Sequence, residues 1–168
     1  MALSQSTLAN QLANLVPTTS EAEARVRLAS AWRVYFGGAT VNGAPAVPAA
    51  YEPAVVAFQA QLLGMSASGQ AGTRLAAACS AFWATLAPLA TAVWITAPVV
   101  LVPPITPPLG LATLLPAMNA VFAANLAARR TLAQAADALA TVLHSSAGLG
   151  ALVPGSVLPA PPAPLPVL

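Results

Sequence analysis

LAAACSAFWATLAPLATAVWITAPVVLVPPITPPLGLATLLPAMNAVFAANLAA, residues 75–128, runs from Arg74 to Arg129 without one formally charged side chain. Such a stretch has to be hidden from water, in a core, in a bilayer or against other chains, and its internal punctuation bears on which. Leu75, Cys79, Phe82, Trp83 and Leu86 stand at i, i+4, i+7, i+8 and i+11, one face of a helix, with alanines filling the other sides. Pro88 is expected to break or kink that helix, with Leu89 to Trp94 continuing beyond it. Ile95 to Val102 turns β-branched around Pro98 and reads as extended, and Pro103, Pro104, Pro107 and Pro108 impose polyproline geometry. A helix restarts near Leu109 and extends through Phe122 to Leu126.

Upstream, Leu8, Leu12 and Leu15 recur at helical spacing until Pro17 stops the pattern. Thr18 with Glu21, and Ser20 with Glu23, each offer a capping box for the next helix. Glu21 to Arg25 and Glu23 to Arg27 are i,i+4 pairs, and Val26, Ala29, Trp32, Arg33 and Phe36 make the face before Gly37 and Gly38 end it. Thr40 to Pro48 reads as a loop turning at Asn42 and Gly43. A third helix is expected over about Ala50 to Leu63, burying Val55, Phe58 and Leu62, with Pro53 in its first turn and Gly64 at its end. Ser66 to Gly72 is a small-residue link; with no lysine after it and no strand before it, it is not a phosphate loop.

Downstream, a last helix is expected over about Thr131 to Leu143, with Leu132, Ala136, Leu139 and Leu143 inward, Asp137 outward, and Gly148 and Gly150 closing it. Residues 153–168 hold six prolines and no charge, an arm of about 50 Å in polyproline geometry. The reading is an all-α chain: a small bundle of five or six short helices over 1–152, with proline-rich extended connections and a C-terminal extended arm over 153–168.

Composition narrows the function. Of the 168 residues, 58% are hydrophobic and 6% charged, with no lysine, against about 25% charged in an ordinary domain. A free monomer of this kind is poorly solvated, which favours assembly. The net charge of +2 comes from six arginines spread along the chain, which speaks against a nucleic-acid partner. Residues 1–16 lack the charged start and long apolar run of a secretory signal, so use without export is expected. The window from Ala81 to Leu101 has the length and neutrality of a membrane span, but Pro88 and Pro98 fall inside it and no basic cluster flanks it. Packing between proteins is therefore the first reading, and a membrane-associated role, holin-like or in an envelope, the alternative.

No catalytic constellation emerges. His144 is the only histidine and is expected to cap a helix C-terminus; Cys79, the only cysteine, is expected as a packed core thiol. Glu21, Glu23, Glu52 and Asp137 are scattered, and a zinc site needs more ligands than one cysteine and one histidine. Arg129 and Arg130 read as a solvated or subunit-contacting pair. No catalytic, cofactor-binding or metal residue, cofactor or small-molecule substrate is expected. The residues expected at assembly contacts are Trp83, Trp94, Ile95, Val99, Leu101, Val153, Leu158, Leu165 and Leu168.

Phe82-Trp83, then Trp94-Ile95-Thr96-Ala97-Pro98, a proline-rich turn into Leu109-Gly110-Leu111, then Val121-Phe122-Ala123-Ala124-Asn125 and a proline-rich end after His144 and Gly148 together form a pattern. It resembles a group of small virion structural proteins of tailed bacteriophages, over roughly the second half of the chain. The resemblance implies a multi-copy, non-enzymatic part of a particle, in the tail, baseplate, neck or capsid decoration. Its partners would be copies of itself and other virion proteins, with synthesis in the host cytoplasm and a final place in the virion. It supplies no catalytic residues.

Overall fold

Ser20 opens α2 (Glu21–Gly37): its Oγ accepts from the Glu23 amide at 3.4 Å, and Gly38 forms the C-cap. The computed structural model describes residues 3–15, 20–38, 40–41, 44–45, 48–93 and 111–151. Ser4 caps α1 (Gln5–Ala13) in the same way, accepting from the Thr7 amide at 3.3 Å, and Leu8 and Leu12 are buried as their spacing predicts. A two-residue antiparallel ladder, β1 (Thr40–Val41) with β2 (Ala44–Pro45), pairs Val41 with Ala44. Four helices follow: α3 (Pro48–Gln61), α4 (Ala71–Val93), α5 (Leu111–Ala127) and α6 (Leu132–Ala151).

The helices close on themselves. Each packs on the next in sequence, and α6 returns to lie along α1, so the described residues form a ring of six helices around one core. The most extensive packing is α3 against α4, followed by α1 against α6. Every helix contributes fully or nearly fully buried side chains, among them Leu8, Tyr35, Phe58, Phe82, Met118 and Ala140. At the centre Trp32 stacks on Phe58, with ring centroids 5.2 Å apart and planes 2° from parallel, and meets Phe82 edge-on at 5.5 Å. Phe36 meets Phe82 at 4.8 Å and Trp83 at 5.6 Å. Such aromatic pairs contribute about 0.5–1.5 kcal/mol each beyond their burial.

This is the expected all-α bundle, with six helices, of which α4 and α6 are long: 23 and 20 residues. α4 does continue past Pro88, to Val93, as the sequence allows; one proline removes one backbone donor from a long helix. Several local expectations are corrected. α3 begins at Pro48, so Pro53 sits inside the helix rather than in its first turn, and Pro116 sits inside α5 likewise. α6 runs through Gly148 and Gly150 to Ala151, because a glycine costs a helix only about 1 kcal/mol relative to alanine.

Two expected faces also depart from the sequence reading at their first residue, Val26 and Leu132, while Ala29, Trp32, Phe36, Ala136 and Leu143 are buried as expected. α2 is flanked by both α1 and α3, so its buried arc takes in Leu28, Ala31 and Tyr35 while Val26 is left 53% exposed. Leu132 lies in the first turn of α6 and is 55% exposed, whereas Ala136, Ala140 and Leu143 point inward.

Candidate interaction surface

Several polar contacts within the described residues tie the helices of the ring together. Arg33 grips Glu52 bidentately, Nε to Oε1 at 2.7 Å and a terminal nitrogen to Oε2 at 2.9 Å, and so ties α2 to α3. Arg25 donates Nε to the Gln59 carbonyl at 3.4 Å, a contact in place of a close pairing with Glu21. Glu21 instead accepts from the Gly64 amide at 2.7 Å and from the Ser66 hydroxyl, pinning the start of α2 to the turn between α3 and α4. Those donors, the Ser66 hydroxyl foremost, hold the Glu21 carboxyl below its ordinary pKa. Gly64 takes φ +82° there, a left-handed conformation suited to glycine after the last turn of α3.

His144 does not cap a helix. It lies inside α6, where Nδ1 sits 2.9 Å from the Tyr35 hydroxyl and joins α6 to α2. Burial pushes the Tyr35 phenol up, with the nearby Cys79 adding to the effect, and burial pushes the Cys79 thiol up as well. A thiol so placed is a packed core group, as the sequence predicts, and not an activated nucleophile. Among the described residues no three His, Cys, Asp or Glu side chains gather as a metal site.

Two apolar regions stand out on the surface of the described residues. The first is α5. Its Leu114 and Met118 face the core, but its second half turns Asn119, Ala120, Ala123, Ala124, Leu126 and Ala127 to solvent, with Leu126 81% exposed and no charge before Arg129. One edge of this half, with the start of α4, walls a groove of about 440 Å³ lined by Gly69, Ala71, Gly72, Asn119, Phe122, Ala123 and Leu126. The helices meet closely there: a β-carbon at Gly72 would overlap Asn119 Oδ1 and crowd its backbone nitrogen at 3.3 Å. The other edge is an alanine stripe, Ala120, Ala124 and Ala127, at i, i+4 and i+7.

The second region follows the outer seam of α2 and α3. The contacts of Glu21 with Gly64, Arg25 with Gln59 and Arg33 with Glu52 show the two helices running antiparallel. Val56 and Leu63 stand four residues after Glu52 and Gln59, and Val26 stands two turns before Arg33, so all three border that seam. They are 63%, 60% and 53% exposed respectively.

The chain matches no family model, no curated protein and no solved structure. The surface is therefore read from its own residues. Of the expected assembly contacts, Trp83 is withdrawn: it is 4% exposed, packed edge-on against Phe36 and Phe82 inside the chain's own core, and offers no surface to a neighbour. Trp94, Ile95, Val99, Leu101, Val153, Leu158, Leu165 and Leu168 lie outside the described residues. The exposure of Leu126, Val26, Val56 and Leu63 was hidden from sequence reasoning because apolar residues at helical spacing look the same whether a neighbouring helix covers them or not.

Proposed function

We propose that this chain is a structural subunit of a large protein assembly, working through uncharged helix faces that pack against copies of itself or other proteins. Its most concrete form is a virion component of a tailed phage, in the tail, baseplate, neck or capsid decoration. On this reading it is made in the host cytoplasm and ends in the particle. The observation that carries the proposal is the exposed second half of α5, with Leu126 81% exposed on a helix without charge. Uncharged apolar surface on a chain with mean hydropathy +0.75 supports that reading.

Size bears on the kind of contact. A stable pair buries about 800 Å² per partner, while ten residues of helix present a strip of roughly 15 by 10 Å. The α5 strip alone is too small. It serves as one contact in an interface that also uses another region, for which the Val26, Val56 and Leu63 border is available, and residues 153–168 add a strap. A span across a bilayer draws no support from the helices: none among the described residues is long and apolar enough to cross a membrane.

The test is the size of the full chain by light scattering over a concentration series, beside Ala124→Glu and Val56→Glu. Both positions are exposed, so the charges leave helix content unchanged. The expected result is oligomers in the parent chain and a shift toward monomer in at least one variant. A parent chain that stays monomeric at every concentration overturns the proposal.

A further inference from the structure

We propose that the outer face of α2 and α3 is where two copies of this chain meet, related by a two-fold axis that runs along the seam between the helices, so that α2 of each copy lies on α3 of the other. The inference rests on the assembly reading and deepens it: the partner is a second copy, in a defined register.

Three contacts fix how α2 and α3 lie side by side. Glu21 is bonded to Gly64, Arg25 to Gln59 and Arg33 to Glu52, so each step forward along α2 is answered by an equal step back along α3. Val26, one residue past Arg25, therefore stands level with Gln59 and Ala60. Turning a second copy about an axis along the seam keeps every level and exchanges the two helices. Val26 of one copy then meets α3 of the other at Gln59 and Ala60.

What Val26 meets there is a socket. Val56, Gln59, Ala60 and Leu63 stand at i, i+3, i+4 and i+7, the spacing of the four residues that form the hole for one side chain of a facing helix. Val56 and Leu63 are exposed, and the small Ala60 between them leaves the hole open. Val26 is exposed as well, and its branched side chain holds one preferred rotamer in a helix. A two-fold contact is reciprocal and so is made twice. In the reverse direction Val56 falls at the level of Ala29 and Ser30, where α2 carries small side chains.

Charge agrees with this axis. The bidentate Arg33–Glu52 pair is half-buried at one end of the face. The rotation lays Arg33 over the other copy's Glu52, and Glu52 over the other copy's Arg33, an alternating set of four charges at the rim of an apolar centre. A two-fold across the helices would lay α2 on α2 instead and send the two ion pairs to opposite ends of the face.

Area agrees too. α2 and α3 are 17 and 14 residues long, about 25 and 21 Å. With axes about 8–10 Å apart they present a face of roughly 20 by 20 Å, well over twice the outline of the α5 strip. Its ridged accessible surface exceeds that outline and approaches the about 800 Å² per partner that a stable pair buries.

The test is disulfide linking between full chains that each carry one added thiol. A Val26→Cys chain with one tag and an Ala60→Cys chain with a tag of different size are produced together; both positions are exposed, and Cys79 is buried and takes no part. The control pairs Val26→Cys with Ala124→Cys, on the exposed side of α5. Under mild copper–phenanthroline oxidation, positions 26 and 60 are expected to link between chains several times faster than either links to its own kind, and several times faster than the control. Adding Val56→Glu to both chains is expected to erase the excess. Linking mainly between two copies of position 26 overturns the proposal, since it lays α2 on α2, and so do equal rates for all pairs. A chain that is oligomeric by light scattering yet shows no excess at 26 and 60 loses this inference and keeps the assembly reading; a chain that is monomeric at every concentration loses both.

Discussion

Arg129 gives the sharpest single-residue test of the local geometry at the α5–α6 turn. α5 ends in a Schellman motif: the Arg130 amide donates to the Asn125 carbonyl at 3.1 Å and the Arg129 amide to the Leu126 carbonyl at 3.2 Å. The motif needs a left-handed residue at the position where glycine is usual, and Arg129 occupies it at φ +48°. A side chain there costs about 1–2 kcal/mol of steric strain. Arg129→Gly removes that strain but gives the unfolded chain more freedom, which returns about 0.4–1 kcal/mol. The net expectation is a stabilisation of about 0.5–1 kcal/mol, a rise in melting temperature of roughly 1–4 °C for a chain of this length. Arg129→Ala keeps the strain and is expected to change little. Arg129→Pro fixes the wrong φ and deletes the bond to Leu126, for a loss of about 3 kcal/mol or more. Thermal melts followed by circular dichroism rank the four proteins. A glycine variant less stable than the parent would show that this backbone is not left-handed and that the turn is wrongly described.

Two further outcomes follow from the polar contacts. Tyr35→Phe removes the partner of His144 at 2.9 Å and is expected to cost about 0.5–1.5 kcal/mol in urea unfolding, an effect that should disappear when His144 has already been replaced by Phe. For Glu21 the folded pKa lies below the ordinary 4.5, so its contribution is fully present above that value and is lost as pH falls through the folded pKa. Denaturation midpoints measured from pH 6 downward should therefore fall less steeply below about pH 4.5 in Glu21→Gln than in the parent; parallel curves would show that the Ser66 and Gly64 contacts do not bear on stability.

The helices themselves were legible in the sequence. The spacing of Leu75, Cys79, Phe82, Trp83 and Leu86 identified the face that α4 buries, and each of the five is in the core. Ser20 with Glu23, and Gly37 with Gly38, marked both ends of α2. A second capping box, Thr131 with Gln134, had the same signature and went unread: the Thr131 hydroxyl accepts from the Gln134 amide at 3.3 Å, and the Gln134 side chain accepts from the Thr131 amide at 3.0 Å. What periodicity does not carry is the identity of the neighbour. Trp83 and Leu126 both sit on apolar patterns in the uncharged stretch, yet one is 4% exposed and the other 81%, because Phe36 of α2 packs on the first and no described element covers the second. The Tyr35–His144 bond joins residues 109 apart, and only closure of the helix ring brings them together.

The opposed readings of the uncharged stretch, cover by protein or cover by lipid, separate most directly in a flotation experiment. The full chain, prepared without detergent, is mixed with phosphatidylcholine–phosphatidylglycerol vesicles and spun through a density gradient, with a sample lacking vesicles alongside. Assembly through protein contacts predicts that the chain stays at the bottom of both gradients as oligomers of the same size. A chain that rises with the vesicles, or that is recovered only as monomers in detergent, would contradict it.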